Sequence, residues 1–108
     1  MSNVNHYTYR VVWSAADDEY VGQVVEFPSL SWLAATPVEA FEGIHRVVAG
    51  VIDDMAANGE IVPSPFSERQ YSGEFKVRIP PELHRALVIQ AAEEQVSLNR
   101  LVSSRLAS

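Results

Sequence analysis

Residues 74–79 constrain this chain most, because Phe75, Val77 and Ile79 alternate there with Glu74, Lys76 and Arg78. A period of two sends the apolar and the charged set to opposite faces of an extended strand. Pro80 and Pro81 follow at once. Proline has no N–H for a ladder, yet its fixed φ suits the first position of a helix, so the strand stops and a helix opens. The spacing predicts that helix over about residues 81–95, with Leu83, Leu87 and Ala91 on one stripe. A turn near Val96 and a second helix from Leu98 follow, with Leu98, Leu101, Val102 and Leu106 on its stripe. Ser97 is placed to cap this second helix, and Arg105 suits the dipole of its last turn. One strand and two short helices in the 36 residues from Gly73 to Ser108 cannot enclose a core alone. The stretch reads as half of a structure whose other half is a second copy.

The preceding residues carry a different pattern. Tyr7, Tyr9, Val11 and Trp13 alternate with His6, Thr8, Arg10 and Val12, which predicts a strand over 6–13. The small, acidic run 14–18 is a turn, and a second strand over 19–27 ends at Pro28. So short a connection implies an antiparallel hairpin. Gly22 in mid-strand implies a bulge or a close contact. Residues 31–35 are read as a shorter third strand. Thr36-Pro37-Val38-Glu39 is a capping box with proline at the first helical position. From there Val38, Phe41, Ile44, Val48, Val51, Ile52 and Met55 recur at three- and four-residue steps, predicting a helix to about Ala57. Glu42 and Arg46 are spaced to pair on its surface, and Asn58-Gly59 stops it. Hairpin and helix would cover each other in a two-layer unit. Residues 61–72, with two prolines and three serines, read as an extended linker. The expected fold class is therefore α+β, with domains at 1–60 and 73–108.

Charge separates the two parts. Residues 1–72 hold three arginines against ten carboxylates, net −7, whereas residues 73–108 are net +1. An acidic part suits a basic protein partner, and the other part can approach DNA. The chain has no cysteine, which excludes disulfides and thiolate metal sites. No apolar run approaches the ~20 residues of a membrane span. The N-terminus lacks the pattern of a signal peptide, so the expected location is the cytoplasm, with no membrane contact.

Catalysis is not expected. A metal-dependent nuclease needs several carboxylates converging on one point. Asp17, Asp18 and Glu19 are consecutive and diverge, and Asp53 and Asp54 sit at a helix end. His6, His45 and His84 fall in separate elements without ligand spacing. No catalytic residue, metal site or cofactor is assigned.

The segments FKVRIPPELH and SLNRLV resemble the ribbon-helix-helix fold of small bacterial repressors. In that fold two chains pair their strands into a ribbon that enters the major groove. The resemblance implies that Lys76, Arg78 and Glu74 face base edges. Ser97, Leu98 and Asn99 would hold a phosphate at the second helix's N-terminus. The apolar residues Phe75, Val77, Ile79, Leu83, Leu87, Leu101 and Val102 would form a dimer core. Val96 stands where that family often has glycine. Over most of its length the chain also resembles the HicB antitoxins with a C-terminal ribbon-helix-helix. The opening hairpin, FPSL, TPVEAFEGI, IVPSP and FKVRIPPELHRAL carry that likeness. It implies a partial ribonuclease-H-like N-terminal fold that binds a small basic HicA-like ribonuclease toxin. It also implies a homodimeric end, open to higher assembly, that binds operator DNA and represses the operon. Leu30 and Trp32 are the candidate toxin contacts, although Trp32 reads more readily as a lid on its own core. A competing reading keeps the DNA-binding end and gives the N-terminal unit another ligand or protein to sense.

Overall fold

The computed structural model describes residues 3–108, so the first two positions of the expected N-terminal domain lie outside the described residues. The chain opens on a 3-10 turn, Val4–His6, capped by Asn3, whose side-chain oxygen accepts from the Asn5 N–H at 2.8 Å. Three strands follow, β1 (Tyr9–Ser14), β2 (Glu19–Val24) and β3 (Ser31–Ala34), in an antiparallel sheet ordered β1-β2-β3. Helix α1 (Pro37–Ala57) lies on one face of this sheet. A second 3-10 turn, Phe66–Glu68, precedes α2 (Pro81–Glu93) and α3 (Leu98–Ala107). The α+β class is as expected. The chain divides into a unit ending at Tyr71 and a unit Ser72–Ser108.

Register explains the packing. Tyr9 pairs with Val24, Val11 with Gly22 and Trp13 with Tyr20, and β3 adds Trp32 beside Gly22. These residues share the face that meets α1. A Cβ on Gly22 would run into the Ala40 carbonyl of α1, so glycine here is the close contact its position implied. The core consists of Tyr7, Val24, Phe27, Ile44, Val48 and Ile52. Ala40, Ile44, Val48 and Ile52 are buried at four-residue steps along α1, the stripe its sequence prescribes. The N-cap forms, the Thr36 hydroxyl accepting from the Glu39 N–H at 3.2 Å, while the Glu39 carboxylate accepts from that same hydroxyl at 2.9 Å and not from the Thr36 backbone. Arg46 does not pair with Glu42; its guanidinium stands 6.0 Å from the Trp32 ring centroid.

Both hairpin strands are shorter than their alternation suggested, for one shared reason. The Glu26 carboxylate, only 9% exposed, accepts from the Thr8 N–H, the Thr8 hydroxyl and the Phe66 N–H. That takes the Thr8 donor out of the ladder. Residues 61–71, read as linker, belong to the first unit. Pro65 is fully buried, the Tyr7 hydroxyl donates to the Pro63 carbonyl at 2.6 Å, and the Ser67 hydroxyl donates to the His6 carbonyl at 2.6 Å.

In the second unit, α2 ends with Gln95 at φ +57, the Gln95 N–H donating to Ala92 and the Val96 N–H to Ala91. This double bond pattern closes a helix through a left-handed residue. The left-handed position is Gln95, so Val96 needs no glycine. Ser97 caps α3 by accepting from the Arg100 N–H at 3.0 Å. The strand expected at 74–79 is absent as an element of the single chain: those residues carry no ladder and are all exposed. A strand's backbone groups need a neighbouring strand, and within this unit there are only two helices.

Candidate interaction surfaces

The second unit buries just two of its side chains, Ala91 and Leu101. Leu87 and Val102 are half-buried between α2 and α3, while Leu83 is 47% exposed. Phe75, Val77 and Ile79 are exposed by 76, 61 and 37%. Of the seven residues assigned to a dimer core, then, a single chain brings Leu87, Leu101 and Val102 inside and leaves four outside. Glu74, Lys76 and Arg78 are exposed in the same segment, and the Ser72 hydroxyl accepts from the Glu74 N–H at 3.1 Å. At the start of α3, Ser97 and Asn99 are exposed and Leu98 is half-buried.

In the first unit the two candidate contacts separate. Leu30 packs against the core beside Phe27, and its N–H donates to the Phe27 carbonyl at 3.0 Å. Trp32 lies flat against Gly43 of α1, where a Cβ would overlap its indole. It is 42% exposed, with Arg46 over its outer side. The face of the sheet away from α1 carries a cross-strand row of Val12, Val21 and Leu33, one from each strand. Beside it an open groove of about 730 Å³ contains one carboxylate, Asp17, and one guanidinium, Arg10, which is bonded to Gln23 at 3.0 Å. Among the described residues no group of three His, Asp or Glu could hold a metal, and no helix is long and apolar enough to cross a membrane.

Two groups in the unit, Glu26 and Tyr9, have shifted pKa values. Burial works to raise the Glu26 carboxyl's pKa, but the hydrogen bonds from Phe66 and Thr8 outweigh it and hold the group below its ordinary value. Tyr9 is pushed up to about 12, first by burial and then by the negative charge of Glu26. Its ring stacks on His45 at 3.7 Å and meets Phe41 edge-on at 6.1 Å, while its hydroxyl donates to the Val4 carbonyl at 2.7 Å. No local signal marks Glu26, since its partners lie 18 and 40 residues away.

Residues 58–106 match the model of the HicB family, a family of antitoxins from toxin–antitoxin pairs. The matched region contains the docked segment before Tyr71, the alternating residues 74–79, all of α2 and most of α3. No curated protein and no solved structure matches the chain.

Proposed function

We infer that this chain is a HicB-type antitoxin, a non-enzymatic cytoplasmic protein with two jobs assigned to two units. The unit from Ser72 onward pairs with a second copy through a ribbon of residues 74–79 and binds operator DNA. The acidic unit before it binds and silences a small basic HicA-like toxin. One observation carries this reading: the C-terminal unit is unfinished alone. Its alternating apolar row stands exposed in front of two helices with just two buried side chains, inside the region that matches the HicB family. Fully burying Phe75, Val77 and Ile79 is worth about 1.5–3 kcal/mol each. Strand pairing also satisfies backbone groups that the single chain leaves to water. In that ribbon the opposite parity of Glu74, Lys76 and Arg78 points them away from the shared core, where a major groove can be read. Ser97, Leu98 and Asn99 are then the phosphate-contacting turn.

The test is paired. Light scattering of the full chain is expected to give a dimer or a multiple of one. The Lys76→Ala/Arg78→Ala variant should keep that mass while losing about 1–3 kcal/mol of operator affinity per lost base contact. A monomer at micromolar concentration, or a correctly assembled variant with unchanged operator affinity, overturns the reading.

A further inference from the structure

We propose that the toxin-facing surface of the first unit is the flank of α1 beside β1, not Trp32, and that its occupant is a basic protein; the inference rests on the antitoxin reading above. α1 sits over β2 and β3 more than over β1. Along β1 the residues that face the helix side therefore remain open: Trp13 is 52% exposed, and Val11 and Trp13's partner on β2, Tyr20, are half-covered. From α1, Phe41 reaches this flank by its contact with Tyr9, and Val38 lies one turn earlier on the same side. Phe41 is 48% and Val38 65% exposed. Next to them runs β1's outer backbone edge, which has no neighbour in the sheet. Exposed aromatic and aliphatic side chains bordering a free strand edge are what a protein partner buries.

Charge selects the partner. Exposed Glu39 and Glu42 flank Val38 and Phe41 on the helix, and Asp18 stands at the hairpin tip beyond Trp13, while Asp17 lines the groove on the opposite face. The unit's three arginines are all engaged elsewhere. Arg10 is bonded to Gln23 on the opposite face of the sheet, Arg46 lies over Trp32, and Arg69 lies over Phe66 at 4.2 Å while bonding Ser64. The flank is thus apolar with a carboxylate rim and no lysine or arginine of its own, His45 being stacked on Tyr9 and packed against Phe41 within it. A second copy of this unit, net −7, would be repelled by it, and a basic protein attracted. Trp32 is occupied by Gly43 and Arg46, so it serves its own unit.

The experiment uses the full chain and the product of the neighbouring reading frame, which the antitoxin reading expects to be a small basic protein. Val38→Lys/Phe41→Lys is compared with Val12→Lys/Leu33→Lys, which adds the same charge on the opposite face of the sheet. Circular dichroism checks that both fold. The first is expected to weaken binding by at least ~10-fold, as loss of a central apolar contact does, and the second to leave it within ~3-fold. A fluorescence arm needs neither variant. The chain has two tryptophans, so Trp32→Phe leaves Trp13 as sole reporter, and its quenching by iodide should fall in the complex. If the wild-type chain binds its neighbour but the flank variant binds equally well, or Trp13 stays open to iodide, the surface assignment is overturned and the antitoxin reading stands. If the wild-type chain does not bind the basic protein, the antitoxin reading itself falls. If the wild type alone forms assemblies that Val38→Lys/Phe41→Lys dissolves, the occupant is a second copy and the proposal is wrong.

Discussion

Replacing Glu26 with glutamine tests how the first unit is held together. The carboxylate accepts from the Thr8 N–H at 3.0 and 3.2 Å, from the Thr8 hydroxyl at 3.1 Å and from the Phe66 N–H at 2.9 Å. Glutamine keeps one acceptor oxygen and puts an NH2 where the other stood. If the remaining oxygen takes the Oε1 place beside the Thr8 N–H, the amide confronts the Phe66 N–H and that donor loses its acceptor; in the Oε2 place the amide crowds the Thr8 N–H and one oxygen must serve all three donors. That costs about 1–3 kcal/mol, and the surviving bond loses its charge assistance, so the expected loss is roughly 2–4 kcal/mol. Both tryptophans lie in the first unit, so fluorescence-detected urea unfolding reports that unit. Acid adds a second readout. A carboxyl whose folded pKa is depressed stabilises the fold fully above its unfolded value, near 4.5, and loses that contribution as pH falls through the folded value. The difference between wild type and Glu26→Gln should therefore be constant at neutral pH and shrink below about pH 4.5. A loss under ~0.5 kcal/mol, the ordinary range of surface substitutions, would refute the clamp. So would a difference that does not change with pH.

Two further outcomes can be measured. Gln95→Gly should stabilise the C-terminal unit by up to ~1 kcal/mol, because it relieves a left-handed φ of +57 that only glycine adopts freely, and Val96→Gly should not; thermal melts of the two distinguish them. On the proposed reading, a basic toxin bound to the acidic unit cancels charge that opposes loose DNA binding, so gel-shift titrations should find the toxin complex binding the operator more tightly than the antitoxin alone.

The parts of the fold written in local chemistry were legible. The Thr36 cap and four-residue stripe of α1 define its bounds, and the hairpin follows from alternation and a short acidic turn. What escaped depends on residues distant in the chain. Glu26 looked like one more strand position, yet it ends the pairing by taking the Thr8 N–H. Proline and serine made 61–72 look like linker, although Pro65 is buried and Tyr7 and Ser67 fasten the segment through backbone carbonyls. Trp32 could be assigned either to a partner or to its own unit, and no local pattern announces that Gly43, eleven positions on, makes room for its indole. Residues 74–79 are the converse. Their alternation is plain, but a ladder needs a neighbouring strand, and none pairs with this segment within the chain.

The two units differ in how much of a core they own, and on the proposed reading that difference has a regulatory consequence. The first unit closes a core of six buried residues, Ile44 and Val48 among them, within the single chain. The second encloses Ala91 and Leu101 and leaves the alternating row of residues 74–79 outside. Its stability is then a mass-action quantity, rising with the concentration of chains, whereas that of the first unit is not. As the protein is diluted, the DNA-reading ribbon would come apart first, while the acidic unit stayed folded and able to hold toxin. Repression would lapse before neutralisation does, and renewed synthesis would begin while free toxin was still being captured. The order follows from where the apolar side chains lie, without any ligand-driven change of shape.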